Sequence, residues 1–150
     1  MKFVPANPAF EARVRDSFAR QAAMGLIGAR LVEVTPGRCT IEVPVRADLT
    51  QQHGHVHGGI VGMIGDSAGG YSAFSLMPAD ASVLTVEFKI NLLAPARGES
   101  LLAVGSVVKP GRTLSIVRSD VFAREKGQET LIATMQITLM VMHGVSDERI

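Results

Sequence analysis

Tryptophan is absent from this chain of 150 residues, and tyrosine and cysteine occur once each, as Tyr71 and Cys39. A single cysteine excludes an intramolecular disulfide framework and any zinc site of clustered thiolates. Aromatic residues make up only 5%, so the chain is poorly equipped to stack nucleobases. An excess of one charge is lacking too. Fifteen Lys and Arg against fourteen Asp and Glu leave a formal +1, so no strong field draws DNA, RNA or an anionic membrane. No uninterrupted apolar run reaches the roughly 18–20 residues of a membrane span. Met1–Arg20 mixes Lys2, Glu11, Arg13, Arg15 and Asp16 with isolated apolar residues, which is not a signal-peptide core. These absences predict a soluble, cytoplasmic protein. Its 150 residues fit one domain, 1–150, large enough to bury about 68–70% of its unfolded surface.

What the chain has in quantity is small and adaptable apolar material: 47% hydrophobic residues, 15 glycines and seven methionines. Asn7-Pro8 predicts a helix opening, with Asn7 as N-cap and Pro8 in the first position. Phe10, Val14, Phe18 and Ala22 then recur at helical spacing until Gly25, which is expected to stop the helix. Two β-rich runs follow at residues 31–34 and 39–45, joined by the hairpin turn Thr35-Pro36-Gly37-Arg38. Residues 47–59 read as a loop and 58–77 as a helix ended by Met77-Pro78. Four strand candidates close the chain, at 82–93, 100–109, 113–124 and 130–143. In the first, Leu84, Val86, Phe88, Ile90 and Leu92 alternate with Thr85, Glu87, Lys89 and Asn91, the period of a half-buried strand. The outline is α–β–β–α–β–β–β–β, an α+β fold.

The helix at 58–77 is unusual. At about 100° per residue, Gly58, Gly62, Gly65 and Gly69 share a stripe roughly 60° wide, and Ile60, Ile64, Ala68 and Tyr71 form another. Each helical glycine costs about 0.5–1 kcal/mol relative to alanine, so this helix must be held from outside. Strands wrapped around it would do so, with the bulky stripe expected against the sheet and the glycine stripe open to another backbone or a ligand. Asp66 is the lone carboxylate here; a structural role would leave it satisfied by amides or by the Ser67 hydroxyl. His57-Gly58-Gly59 at the helix start adds a chemical role, because the first N–H groups of a helix are unpaired and favour negative charge. Such amides can stabilise the oxyanion of acyl transfer. Gly58 and Asp66 are eight residues apart, about 12 Å at 1.5 Å per residue, too far to act on one carbonyl from the same helix. Their cooperation predicts a dimer with the two helices side by side.

The run from Gln51 through His57-Gly58-Gly59 to Asp66 and Tyr71 resembles the signature of the hotdog-fold thioesterases of the phenylacetate-degradation (PaaI-like) family. That signature is a polar Asn or Gln, then His-Gly-Gly, then an Asp eight residues after the first Gly. Thr85–Ala96 and Pro110–Thr113 resemble the family as well, and the likeness covers about residues 30–142. The resemblance implies a hotdog fold: an antiparallel sheet wrapped around a long central helix, with the N-terminal helix packed outside. It also implies dimers, often paired into tetramers, with active sites between subunits. The implied reaction is hydrolysis of an acyl-CoA thioester to free acid and CoA, with no metal or organic cofactor. Asp66 would be the catalytic carboxylate, as general base or nucleophile. The Gly58 amide would polarise the carbonyl, Gln51 would orient the reacting groups and Thr85 would position the attacking water. His57 and Gly59 would shape the substrate-binding loop, and Arg112 would meet the phosphates of CoA.

Other readings of the same residues are weaker. His53, His55 and His57 alternate, but no acidic or thiolate cluster accompanies them, so a metal is not expected. The glycines lack the spacing of a phosphate loop or dinucleotide fingerprint. Cys39 reads as a small apolar strand residue and the methionines as core filler, a minority of them lining an acyl pocket. The functional alternatives are a hotdog protein that binds acyl-CoA without hydrolysing it, and a dehydratase of hydroxyacyl thioesters using a histidine base.

Overall fold

Period-two alternation organises the strands, and a computed structural model describing residues 2–148 shows how they close on the glycine-rich helix. The helices are α1 (Phe10–Arg20), α2 (Ala22–Ile27) and α3 (Gly58–Phe74), with a 3-10 turn at Ala47–Leu49. The strands are β1 (Arg30–Thr35), β2 (Arg38–Pro44), β3 (Ala81–Leu92), β4 (Ser100–Lys109), β5 (Leu114–Glu125) and β6 (Gln128–His143). They form one six-stranded sheet in the order β1-β2-β4-β5-β6-β3, antiparallel throughout. The hairpin between β1 and β2 turns through Pro36 and Gly37, where φ of +78° calls for glycine. Alternate residues of the central strands, among them Ala103, Val117, Val121, Met135, Ile137 and Leu139, are buried in the core that α3 shares. This is the hotdog arrangement. Among the described residues no helix is long and apolar enough to cross a membrane.

The bulky stripe of α3 is buried as expected, but the glycine stripe, expected to stay open, meets the sheet as well. A Cβ at Gly65 would sit 2.3 Å from Met135 Sδ, and one at Gly69 would sit 2.5 Å from Ile137 Cδ1. Ridges of β6 therefore fill the hollow that the glycines leave, and each missing side chain is replaced by a strand's. The backbone of α3 itself comes close to a strand next to it, where a Cβ at Gly105 of β4 would be 2.2 Å from the Ala68 carbonyl oxygen. Ile64 and Ala68 are buried on the flank of this contact. What stays open is the opposite face, with Gly59, Met63, Asp66, Ser67 and Gly70, none of them fully buried.

The N-terminal region departs from its expected boundaries. Asn7 Oδ1 accepts from the Ala9 N–H at 3.0 Å in a turn ahead of the helix, which starts only at Phe10. Gly25 lies inside α2; the break falls at Gln21, which is extended (φ −78°, ψ 92°), and α2 is closed by Gly28 at φ +73°. Gly28 is the glycine that uses a left-handed conformation, the usual helix stop. Similarly, α3 ends at Phe74, and residues 75–77 continue as tight turns through Leu76 N–H to Ala73 O (3.0 Å) and Met77 N–H to Phe74 O (3.1 Å). Helix α1 packs on the C-terminal half of α3, with Val14 buried and Phe18 edge-on to Tyr71 at 5.9 Å. Arg13 holds it there: its guanidinium lies 4.1 Å from the Phe74 ring centre and donates to Pro78 O (2.7 Å) and Ala81 O.

Candidate active site

Asp66 projects from the open face of α3 towards β3, where the Thr85 hydroxyl donates to its Oδ1 at 2.8 Å. Strict alternation would place Thr85 on the same face as Glu87, Lys89 and Asn91, away from α3. A β-bulge reverses this. Thr85 pairs with Leu139 and Glu87 with Thr138 on β6, so Val86 is an extra residue in β3. Thr85 thereby joins Ile90 and Leu92, whose side chains reach Gly62 and Gly58, on the helix side. Burial pushes the Asp66 carboxyl above the ordinary carboxylate range, and the hydrogen bond from Thr85 pulls it part of the way back.

The N-terminal end of α3 is built differently. His57 caps the helix: its Nδ1 accepts from Gly59 N–H at 2.8 Å, and its carbonyl accepts from Ile60 and Val61 at 2.9 and 3.2 Å. Three of the first four amides are thus occupied, and Gly58 N–H has no partner among the described residues. Gln51 is fixed in the preceding loop, with its N–H on His55 O at 2.8 Å and its Oε1 accepting from His53 N–H.

These two groups of residues open onto separate clefts. Asp66 and Thr85 line one of about 440 Å³, together with Ser17, Gln21, Ser67 and Tyr71. Gln51 and Gly58 line another of about 380 Å³, with His55, Leu92, Leu93 and Pro95. Within one chain, then, the structure brings Asp66 to Thr85 and Gln51 to Gly58, but keeps the two pairs apart. Arg112 lines neither cleft; it is exposed on the turn between β4 and β5, where its carbonyl accepts from His143 Nε2 at 2.7 Å. Cys39 is fully buried in β2, and burial pushes its thiol up to about 12, which leaves no thiolate at neutral pH. Ser17 and Gln21 of the Asp66 cleft carried no signal in the sequence, since they belong to a helix pattern 40 or more residues away. Along β3, which pairs only with β6 among the described residues, Phe88 (46% exposed) and Leu92 (58%) leave an apolar strip uncovered on the helix side, with Leu84 (52%), before the bulge, exposed on the other face.

Residues 53–130 match the family model of the thioesterase superfamily. A crystal structure of a thioesterase family protein from Silicibacter pomeroyi superposes with a TM-score of 0.88 at 51% identity, covering 90% of this chain and 99% of that one. The PaaI protein of the phenylacetic acid degradation operon of E. coli shares the fold at a TM-score of 0.83 and 16% identity, covering 93% and 98%. In sequence, acyl-coenzyme A thioesterase 13 of Homo sapiens is 28% identical over 101 residues, 65% of this chain and 70% of that protein. The family segment contains α3, Asp66 and Thr85, whereas α1 and α2 lie outside it. With the sheet wrapped on α3 and more than half of its length matched, the chain belongs to the thioesterase superfamily and is a hotdog-fold thioester hydrolase.

Proposed function

We propose that the protein hydrolyses acyl-CoA thioesters to the free acid and CoA, at a site completed between two subunits. The observation that carries this is the division of the site: the Asp66–Thr85 pair and the unpaired Gly58 amide face different clefts of one chain. A second copy, related by a twofold axis, supplies the missing half to each. The uncovered strip of β3 supports that arrangement, because a long apolar edge strand is an association site unless it is blocked.

In this reading Asp66 is the general base. It accepts a proton from a water whose oxygen adds to the thioester carbonyl, and the resulting oxyanion is held by the N–H of Gly58 of the partner subunit. Collapse of the tetrahedral intermediate breaks the C–S bond, and the proton on Asp66 goes to the departing CoA sulfur. Thr85 occupies Oδ1 and leaves Oδ2 to face the water. A carboxyl raised by burial is a stronger base for this step than an exposed aspartate. Gln51 has its carbonyl oxygen fixed in the loop, so its amide NH2 is left to orient the thioester. His57 and Gly59 hold the loop that presents Gly58, and Arg112, outside both clefts, is assigned to the phosphates of CoA. Direct attack by Asp66 would instead release the CoA thiolate and form an acyl–Asp66 anhydride, and water attacking the Asp66 carbonyl of that anhydride would leave one solvent oxygen in the enzyme after a single turnover in labelled water.

The test is release of free thiol from a panel of acyl-CoA substrates by the wild type, Asp66→Ala and Asp66→Asn. Release by the wild type and its loss in both variants is expected. Near-full turnover by both variants removes Asp66 from the chemistry, and binding of acyl-CoA without thiol release would make the protein a thioester sensor.

A further inference from the structure

The Asp66 cleft carries polar groups that hydrolysis itself does not use. Ser17 Oγ and Tyr71 OH are 3.3 Å apart, and Ser67 Oγ donates to Gln21 Oε1 at 3.2 Å. Each pair ties α1 or its end to α3 across the cleft. The first pair retains one spare hydroxyl hydrogen, and the Gln21 amide NH2 has no partner among the described residues. Gln21 is held firmly. It is the break between α1 and α2, with its N–H on Phe18 O and its carbonyl accepting from Met24 N–H, both at 3.0 Å. It also lies outside the segment shared with the family model, as does Ser17. The same cleft is acidic: Asp66, Asp147 and Glu148 line it against one cation, Arg20, which is already paired with Asp147 at 2.7 Å.

We propose that Gln21 and Ser67 select the acyl group, and that the preferred acyl chain is neutral and carries a hydroxyl towards its far end. This rests on acyl-CoA hydrolysis as proposed above. The phosphate-bearing half of the substrate is repelled by the three carboxylates, so the acyl end enters this cleft. An acyl hydroxyl there accepts from the Gln21 NH2 and donates to a free lone pair of Ser67 Oγ. A plain alkyl chain strips water from these groups and returns no hydrogen bond, and a terminal carboxylate meets Asp147 and Glu148.

Three substrates of equal chain length test this: hexanoyl-CoA, omega-hydroxyhexanoyl-CoA and adipoyl-CoA, compared by kcat/KM. The wild type should prefer the hydroxylated chain over hexanoyl by about tenfold and turn over adipoyl-CoA least. Gln21→Leu should bring that preference close to unity, with hexanoyl turnover rising because no amide is left to be stripped of water, and Ser67→Ala, which changes little in volume, should reduce it in the same sense. Asp147→Asn should raise adipoyl turnover relative to the other two. Equal turnover of hexanoyl and hydroxyhexanoyl by the wild type overturns the inference alone, as does a preference kept by both Gln21→Leu and Ser67→Ala. Failure to release thiol from any of the three overturns acyl-CoA hydrolysis and this selectivity with it.

Discussion

The two ends of the chemistry on α3 are built by opposite means. At the N-terminal end a backbone amide is presented, and the hydrogen bonds that shape it are mostly local: His57 caps, Gly59 is tied off, and Gln51 is held by residues two to four positions away, with Val56 N–H to Ala96 O as the long-range exception. At Asp66 a side chain is presented, and its surroundings come from afar: Thr85 from an edge strand, Ser17 and Gln21 from the N-terminal helices, Asp147 from beyond β6. A half-site made of local backbone hydrogen bonds tolerates changes elsewhere in the sheet. One assembled from three distant segments depends on all of them. The partnership proposed for the two would also depend on association through the surface that lies between them.

The strongest way to break the comparison is to disable each half separately. Asp66→Asn should lower kcat by about 10²–10⁴-fold. Gly58→Pro should lower it by about 10²–10³-fold, and it removes little but the amide. Proline suits the first helical position, His57 already has the extended ψ of 136° that a following proline requires, and the new Cβ meets only the terminal methyl of Leu92, at 2.9 Å. Mixed and re-associated in equal amounts, the two inactive variants should recover about a quarter of wild-type activity, because half the dimers are mixed and each has one intact site. A mixture that stays inactive would mean that both halves act from one chain.

Next in size is the shared surface. Phe88→Glu places a charge on the uncovered β3 strip, and light scattering should show a shift to monomer with activity falling in parallel. A fully active monomer would break the comparison outright. Thr85→Val acts on the Asp66 half alone. Its loss should cost about tenfold in kcat/KM, of the order of one charge-assisted hydrogen bond. The sign of its pH effect follows from the bond it removes. Thr85 donates to the ionised carboxylate and so lowers the Asp66 pKa; without it the acid limb of the rate profile should move to higher pH. The smallest effect is on stability. Burial raises the folded-state pKa of Asp66 above its unfolded value, so ionisation opposes folding as pH rises through that range. Asp66→Asn should therefore raise Tm at neutral pH, and the gain should fade in acid once Asp66 is protonated in both states.

Much of this molecule is readable in its residue pattern. The strand boundaries at 100–109 agree with β4, and the hairpin at Pro36-Gly37 lies where its turn residues place it. His57-Gly58-Gly59 and Asp66 of the signature lie in the segment that matches the family model, with Gln51 just before it, and the 12 Å argument is consistent with two separate clefts. The orientation of α3 was not readable. The sheet covers both the bulky stripe and the glycine stripe, and the second contact belongs to Met135 and Ile137 across the core, whose bulk fills the hollow the glycines leave. Thr85 shows the same limit from the other direction: the alternation of β3 is regular in sequence, yet the bulge at Val86 turns Thr85 to the helix.

The chain that lacks tryptophan, disulfides and a dominant charge thus determines by itself its elements, their order and the local amide cradle at the start of α3. Those features arise from periodicities and hydrogen bonds within a few residues. Tertiary structure alone decided that the glycine stripe of α3 is closed by the sheet, that Thr85 reaches Asp66, and that Gln21 and Asp147 share the same cleft. Each depends on complementarity between segments tens of residues apart, which period and propensity along one strand or helix do not encode.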